Sequence, residues 1–206
     1  MPDPGSDKRE AILKTALSLF VERGFFGTPT SLISKEAGVA TGTLFFYFRT
    51  KEALIDTLYL QVKVKAADAM CRGLKEEKDT KARLNRLGHN AVAWGMKNPK
   101  EMKFMEQFAH SPFVSTSAQE EGMSRFVFLQ DLVTEGIREG VIRDYDPQLL
   151  VFMMASSLSG LTGRAAAAGS PAEREAIIDQ GLAFVWNGLT TGPAKEKQSR
   201  KQTGKK

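Results

Sequence analysis

A chain of 206 residues, 42% of them apolar, has room for a small domain and a larger one built around a common core. Its formal charge of +5 is no argument for nucleic acid: Lys195, Lys197, Arg200, Lys201, Lys205 and Lys206 against Glu196 account for all of it, and residues 1–60 are neutral overall. Cys71 is the single cysteine, which excludes an intrachain disulfide and fits a reducing cytoplasm. No apolar run approaches the roughly 20 residues of a bilayer span. The first seven residues lack the basic and apolar regions of a signal peptide. The expectation is a soluble, cytoplasmic chain without a membrane partner.

The apolar periodicity is helical and no convincing alternating strand is present, so the expected fold is all-α. A first helix over about Asp7–Arg23 buries Ile12, Leu13, Ala16, Leu17, Leu19 and Phe20 and stops at Gly24, with Phe25 and Phe26 closing a small core. Two short helices follow, the first starting at the Thr28-Pro29-Thr30 cluster and ending at Gly38. Val39 holds the turn, and Thr41 caps the second helix, which reaches about Phe48. Thr50 reads as the N-cap of a long helix from Lys51 toward Lys75, and charge-rich Lys75–Lys81 as a loop. The rest reads as five helices: Lys81–Met96, Pro99–Ala109, Ala118–Arg138 closed by Gly140, Pro147 to about Ala168, and Pro171 to about Thr190. Asp146-Pro147 and Ser170-Pro171 are clear cap-plus-first-turn starts for the last two. The tail from Gly192 is polar, unpatterned and expected to be disordered.

Two short helices joined by a tight glycine-containing turn form a helix-turn-helix, whose second helix lies in the major groove of DNA. The stretch TPTSLISKEAGVATGTLFFYFRTKEAL closely resembles the DNA-binding domain of the tetracycline-repressor (TetR) family of bacterial transcriptional regulators. The match runs in register through Thr28, Ile33, Ala37, Gly38, Val39, Gly42, Thr43, Leu44, Tyr47, Phe48, Lys51, Glu52 and Leu54. The resemblance covers roughly residues 8–65. It implies an N-terminal three-helix domain (residues 7–50, motif about 29–48), joined by a long helix to a larger effector-binding and dimerisation domain (51–191), with a basic tail (192–206).

The resemblance also assigns DNA contacts. Thr30, with Ser31 beside it, meets phosphate; Thr41, Gly42 and Thr43 open the recognition helix; Phe46 and Tyr47 project toward base and phosphate; Lys51 clamps a phosphate from the far side. Phe45 stands where the family usually has Tyr and Ala40 where Ser is common, which removes hydroxyls from backbone anchoring.

The middle helices are rich in Met and aromatic residues, a pattern of core or of cavity wall. The resemblance implies a cavity for a small, apolar effector, with Met96, Phe104, Gln107, Phe108 and Phe126 as its candidate lining. His89, Asn90 and His110 are further groups able to orient a ligand. In the last two helices small residues (Ala155, Ser156, Gly160, Gly163) alternate with apolar stripes. These stripes suit either a monomer's own core or a four-helix interface with a second copy. The resemblance favours the homodimer, with Met154, Leu158, Leu182 and Trp186 as candidate interface residues. No cofactor or metal is expected, because His89 and His110 lie too far apart for metal-ligand spacing. Catalysis has no supporting motif: there is no strained nucleophile elbow and no glycine-rich phosphate loop. The leading expectation is a repressor released from operator DNA by a small molecule; a regulator governed by protein partners is the alternative.

Overall fold

The computed structural model describes residues 4–109 and 111–190, with side chains from residue 7. The tail and His110 lie outside the described residues. Among the described residues ten helices follow one another: α1 (Pro4–Arg23), α2 (Thr30–Glu36), α3 (Thr41–Tyr47), α4 (Lys51–Cys71), α5 (Thr80–Lys97), α6 (Pro99–Phe108), α7 (Thr116–Ser124), α8 (Val127–Arg138), α9 (Pro147–Ala166) and α10 (Pro171–Leu189). Among the described residues there is no strand, only an isolated bridge between Ile142 and Thr190 that ties the end of α10 to the α8–α9 connection. The fold is all-α, as the periodicity requires.

Local chemistry sets most helix starts. The Thr50 hydroxyl accepts from the Ala53 amide at 3.0 Å, the Asp146 carboxylate from Leu149 at 2.7 Å and the Ser170 hydroxyl from Glu173 at 3.1 Å, each satisfying an orphan first-turn donor. Asp79 and Ser115 do the same for α5 and α7, by accepting from Ala82 and Ala118.

The motif's caps differ from expectation. Pro29 and Ala40 occupy the N-cap positions of α2 and α3, without side-chain caps. Thr28 instead is buried, its hydroxyl donating between the carbonyls of Gly24 (2.8 Å) and Leu19 (3.1 Å) to lash the α1–α2 turn onto α1. Thr41 is the first residue of α3, and its hydroxyl lies 3.1 Å from that of Ser34, pinning α3 to α2. Gly38, at φ +67°, makes the left-handed turn between them, where a side chain would be strained.

Three further expectations are corrected. The single helix expected over Ala118–Arg138 is two, because Arg125 and Phe126 break it. Its halves serve different partners: α7 lies on α4, with Gly122 so close that a Cβ would stand 2.5 Å from the Tyr59 ring, while α8 packs on α5 and α9. The long helix α4 ends at Cys71, short of Lys75. There the Asn90 side-chain amide donates to the carbonyls of Met70 (3.1 Å) and Arg72 (2.7 Å), taking over bonds a further turn would have made. Phe26 does not close the small core. It is 82% exposed, with its ring edge-on to Phe113.

Two apolar cores lie along the molecule. One joins α1–α3 and the first half of α4 (Ile12, Phe20, Ile33, Leu44, Phe48, Leu54, Leu58) to Phe104 and Phe108 of α6 and Ala118 of α7. The other gathers Leu84, Leu87 and Val92 of α5, Leu129 and Val133 of α8, Met154 and Leu158 of α9, and Leu182, Val185 and Trp186 of α10. Gly88 makes room for the Trp186 indole, whose ring would stand 2.8 Å from a Cβ there.

Helix α9 also corrects the hydropathy expectation. By length and composition it is apolar enough to cross a membrane, with a mean hydropathy of 1.3 over an 18-residue stretch of which only 28% is buried in the chain. Counting uninterrupted apolar residues overlooked it, because Ser, Thr and Gly are interspersed along it.

Candidate DNA interface and central cavity

The helix-turn-helix presents one continuous outer face. On it stand Ser31, Thr41, Gly42 and Phe46, all exposed, with Thr30, Thr43 and Tyr47 half-buried beside them. Phe46 is 80% exposed and meets Tyr47 edge-on at 5.2 Å. A Cβ at Gly42 would meet nothing within 4 Å, so any close approach this glycine permits is to something outside the chain. Leu44 and Phe48 are buried, holding α3 against α1 and α4, whereas Phe45 is 43% exposed beside Phe46. The helix thus offers aromatic rings and hydroxyls, the groups that contact thymine methyls and phosphates.

Lys51 occupies the first turn of α4 but is turned inward. Its ammonium donates to the Phe25 carbonyl and sits 4.0 Å above the Phe25 ring centre. Burial lowers its pKa below the ordinary lysine value, with Glu52 acting in the opposite sense. On the other side the Phe25 ring stacks on Phe113, at 4.2 Å and 2° between planes. A lysine at the head, a turn between α1 and α2 and the α6–α7 loop therefore form one contiguous stack.

Between the two cores lies a cavity of about 360 Å³. Helix α4 supplies Lys63, Ala66 and Met70 to its wall, α5 supplies Ala91 and Trp94, and α6 supplies Met102, Met105 and Glu106. Met123, Phe126 and Leu129 close a second side, and α9 a third through Val151, Phe152, Ala155, Ser156, Leu158, Ser159 and Thr162. Of the lining residues expected from sequence, Phe126 alone reaches this space. Phe104 and Phe108 point the other way, into the core with Phe20, because α6 turns that face toward α1. Gln107 donates to the Val21 carbonyl at 3.5 Å, and Met96 packs on the second core. The neighbouring helical positions, Met102, Met105 and Glu106, face the void. Lys63 went unnoticed; a lysine beside Tyr59, Val62 and Ala66 on a buried stripe was the available signal. His89 is exposed, with Nδ1 2.9 Å from the Asn85 carbonyl. Among the described residues no group of three or more His, Cys, Asp or Glu is placed to hold a metal.

The expected interface residues are displaced by the same kind of rotation. Met154 (2% exposed), Leu158 (4%), Leu182 (1%) and Trp186 (8%) lie in the subunit's own core. Exposed on α9 and α10 instead are Phe152, which also borders the cavity, Met153 and Phe184, with Gly160, Gly163 and Gly188, at none of which would a Cβ meet anything within 4 Å.

A helix-turn-helix head on a larger helical body with a half-open apolar cleft fits a DNA-binding transcription regulator. The comparisons narrow the class. Residues 12–58 match the model of the bacterial regulatory proteins of the tetR family. The crystal structure of a protein from Shewanella sp. PV-4, assigned to the tetR transcription regulators, is 33% identical, superposes with a TM-score of 0.81, and covers 90% of this chain and 99% of its own. The HTH-type transcriptional regulator YhgD of Bacillus subtilis is 25% identical over 190 residues, 89% of this chain and 97% of YhgD. The Bacillus subtilis regulator FadR, solved in complex with stearoyl-CoA, shares the fold at 19% identity, with a TM-score of 0.70 over 87% of this chain and 98% of its own. The chain belongs to the tetR family of transcription regulators.

Proposed function

We propose that the protein is a cytoplasmic, homodimeric repressor that leaves its operator when a small molecule with an apolar body enters the cavity. Residues 7–50 form the DNA-binding domain, with contacts from Thr30, Ser31, Thr41, Gly42, Thr43, Phe46, Tyr47 and Lys51, and residues 51–191 bind effector and partner. No enzymatic role is assigned. The observation that carries the reading is the cavity itself: about 360 Å³ of largely apolar space, walled by the same helix, α4, whose first turn belongs to the DNA head. A half-open apolar cleft of this size favours a small-molecule ligand over control by protein partners alone. The binding of stearoyl-CoA by a protein of the same fold supports a small-molecule ligand here.

Dimerisation is assigned to the outer face of α9 and α10, whose exposed Phe152, Met153 and Phe184 need cover and whose glycines let helix axes approach closely. Two heads then address a pseudo-palindromic operator, one half-site each, separated by about one helical turn or somewhat more.

Two routes lead from cavity to head. One is α4, from Lys63 to Lys51, on the order of 18 Å along the axis. The other runs from α6 and α7, which line the cavity, through Phe113 in the loop between them to Phe25 and Lys51. Only a ligand with different affinities for the two head spacings shifts the equilibrium, and by linkage operator DNA must weaken ligand binding by the same factor. Native mass spectrometry of protein purified from its host, followed by titration of the retained ligand into the operator complex, tests the reading. Equal affinity of that ligand for free and DNA-bound dimer would refute induction and leave DNA binding intact.

A further inference from the structure

Among the described residues Lys63 is the single cation in the cavity wall, and its half-buried ammonium has no carboxylate partner. Nζ lies 5.1 Å from the Phe126 ring centre and 5.3 Å from that of Tyr59, and its hydrogen-bond acceptor is the Met123 thioether, at 3.9 Å. Among the described residues no carboxylate pairs with it. The nearby acids are engaged elsewhere: Glu121 with Arg125 at 3.0 Å, and Glu106, the one anion in the wall, accepting from the Ser159 hydroxyl at 2.9 Å. The stem of Lys63 is held in place, since a Cβ on Gly122 would stand 3.2 Å from its Cγ. Ring faces and a sulfur recover part of the hydration the ammonium has lost, whereas an anion recovers far more. Burial accordingly pushes the Lys63 pKa down.

We propose that the effector is an amphiphilic monoanion whose carboxylate seats on the Lys63 ammonium while its hydrocarbon body lies along Trp94, Met102, Met105 and Leu129. The inference rests on the small-molecule reading above and adds the charge and polarity of the ligand. A doubly charged or sugar-like anion does not fit, because beyond Lys63 the wall offers hydrocarbon, thioether and a competing carboxylate, Glu106. The head group also acquires a mechanical role. It ties the ligand to the helix that carries Lys51, so its charge is felt by the element that sets the DNA head.

The test uses the full-length protein with decanoate, decan-1-ol and decylammonium as probes, measured by calorimetry and, on a Trp186→Phe background, by the fluorescence of Trp94. Decanoate is expected to bind about tenfold or more tightly than decanol, with decylammonium weakest, since a charge-assisted contact in an apolar site has that magnitude. Lys63→Met should erase the preference while leaving decanol affinity unchanged or improved, and Lys63→Arg should keep it. If decanol matches decanoate, or if the preference survives in Lys63→Met, the anion site is refuted and the apolar cavity stands. If none of the three probes binds and Trp94 emission does not move, the effector cavity itself is refuted, and this proposal with it. Should Lys63→Met fail to fold, the wild-type ranking together with Lys63→Arg decides.

Discussion

Two regions of this molecule expose a phenylalanine to the same degree, Phe46 on α3 and Phe184 on α10, each 80% accessible. Their surroundings separate them. Phe46 shares a seven-residue helix with the partly exposed rings of Phe45 and Tyr47 and with the hydroxyls of Thr41 and Thr43. Phe184 stands on a helix with an outward Gly188, next to a helix that exposes Phe152, Met153 and two further outward glycines. Rings interspersed with hydroxyls suit a groove that is itself polar and ridged with methyls; exposed apolar side chains beside outward glycines suit another protein surface. Exposure alone says that something is missing, and the neighbours say what.

The largest effect expected from breaking this comparison is at Phe184. Phe184→Glu should leave a folded monomer, because the side chain contributes little to its own core. Loss of the second head removes avidity, so apparent operator affinity should fall about 100-fold or more. Sedimentation velocity and a thermal melt read both halves of this statement. Leu182→Glu should instead unfold the chain, since that residue is 1% exposed and a buried unpaired carboxylate costs several kcal/mol. A dimeric Phe184→Glu variant would move the interface elsewhere.

Phe46→Ala comes next. It should weaken operator binding by roughly 1–3 kcal/mol, most strongly at one base position of each half-site, with no change in melting temperature. Binding to a panel of single-base operator variants separates this from a backbone contact, which would weaken all sequences alike. Lys51→Ala is such a backbone case, with a smaller effect on affinity. It should lower the salt slope of binding by about one per head. The structure adds a stability cost that the sequence alone did not indicate, about 1 kcal/mol, because Lys51 also holds the Phe25 carbonyl and ring. An unchanged salt slope with lowered stability would make Lys51 a purely structural tie.

What was legible in the sequence was local. Thr50, Asp146 and Ser170 cap helices because a hydroxyl or carboxylate three residues before an amide is enough to satisfy it, and Gly38 marks its turn for a similarly local reason. The cavity was not legible. Periodicity identifies the apolar face of α6, but not whether that face meets neighbours or a void; Phe104 and Phe108 met neighbours, and the void fell to Met102 and Met105. On α10 the stripe through Leu182 and Trp186 was the obvious interface by hydrophobicity, and it turned out to satisfy the subunit's own core. The small residues Gly160 and Gly163, evident in the sequence beside that stripe, mark the outward face instead. The break at Arg125–Phe126 was hidden because a lone Gly122 inside a helical pattern is a weak breaker; the need to lay α7 on Tyr59 and α8 on α5 imposes the break.

The smallest expected effect sharpens the comparison with a third exposed ring. Phe26 is as accessible as Phe46 and Phe184, yet it already has partners, meeting Phe113 edge-on at 4.9 Å and Phe25 edge-on at 5.8 Å, while Phe25 and Phe113 stack on each other. If this cluster is a coupling element, Phe113→Ala should lose about 0.5–1.5 kcal/mol of aromatic contact from stability and leave operator affinity of the ligand-free dimer nearly unchanged, since no DNA-facing group is touched. What should shrink is the ratio of operator affinities with and without effector. A typical coupling of about 1–3 kcal/mol would fall by about 0.5–2 kcal/mol, because one of the two routes from the cavity is cut while α4 remains. Fluorescence-anisotropy titrations of labelled operator, with and without effector, measure this ratio directly. An unchanged ratio would place all of the coupling in α4 and reduce the Phe25–Phe113 stack to packing.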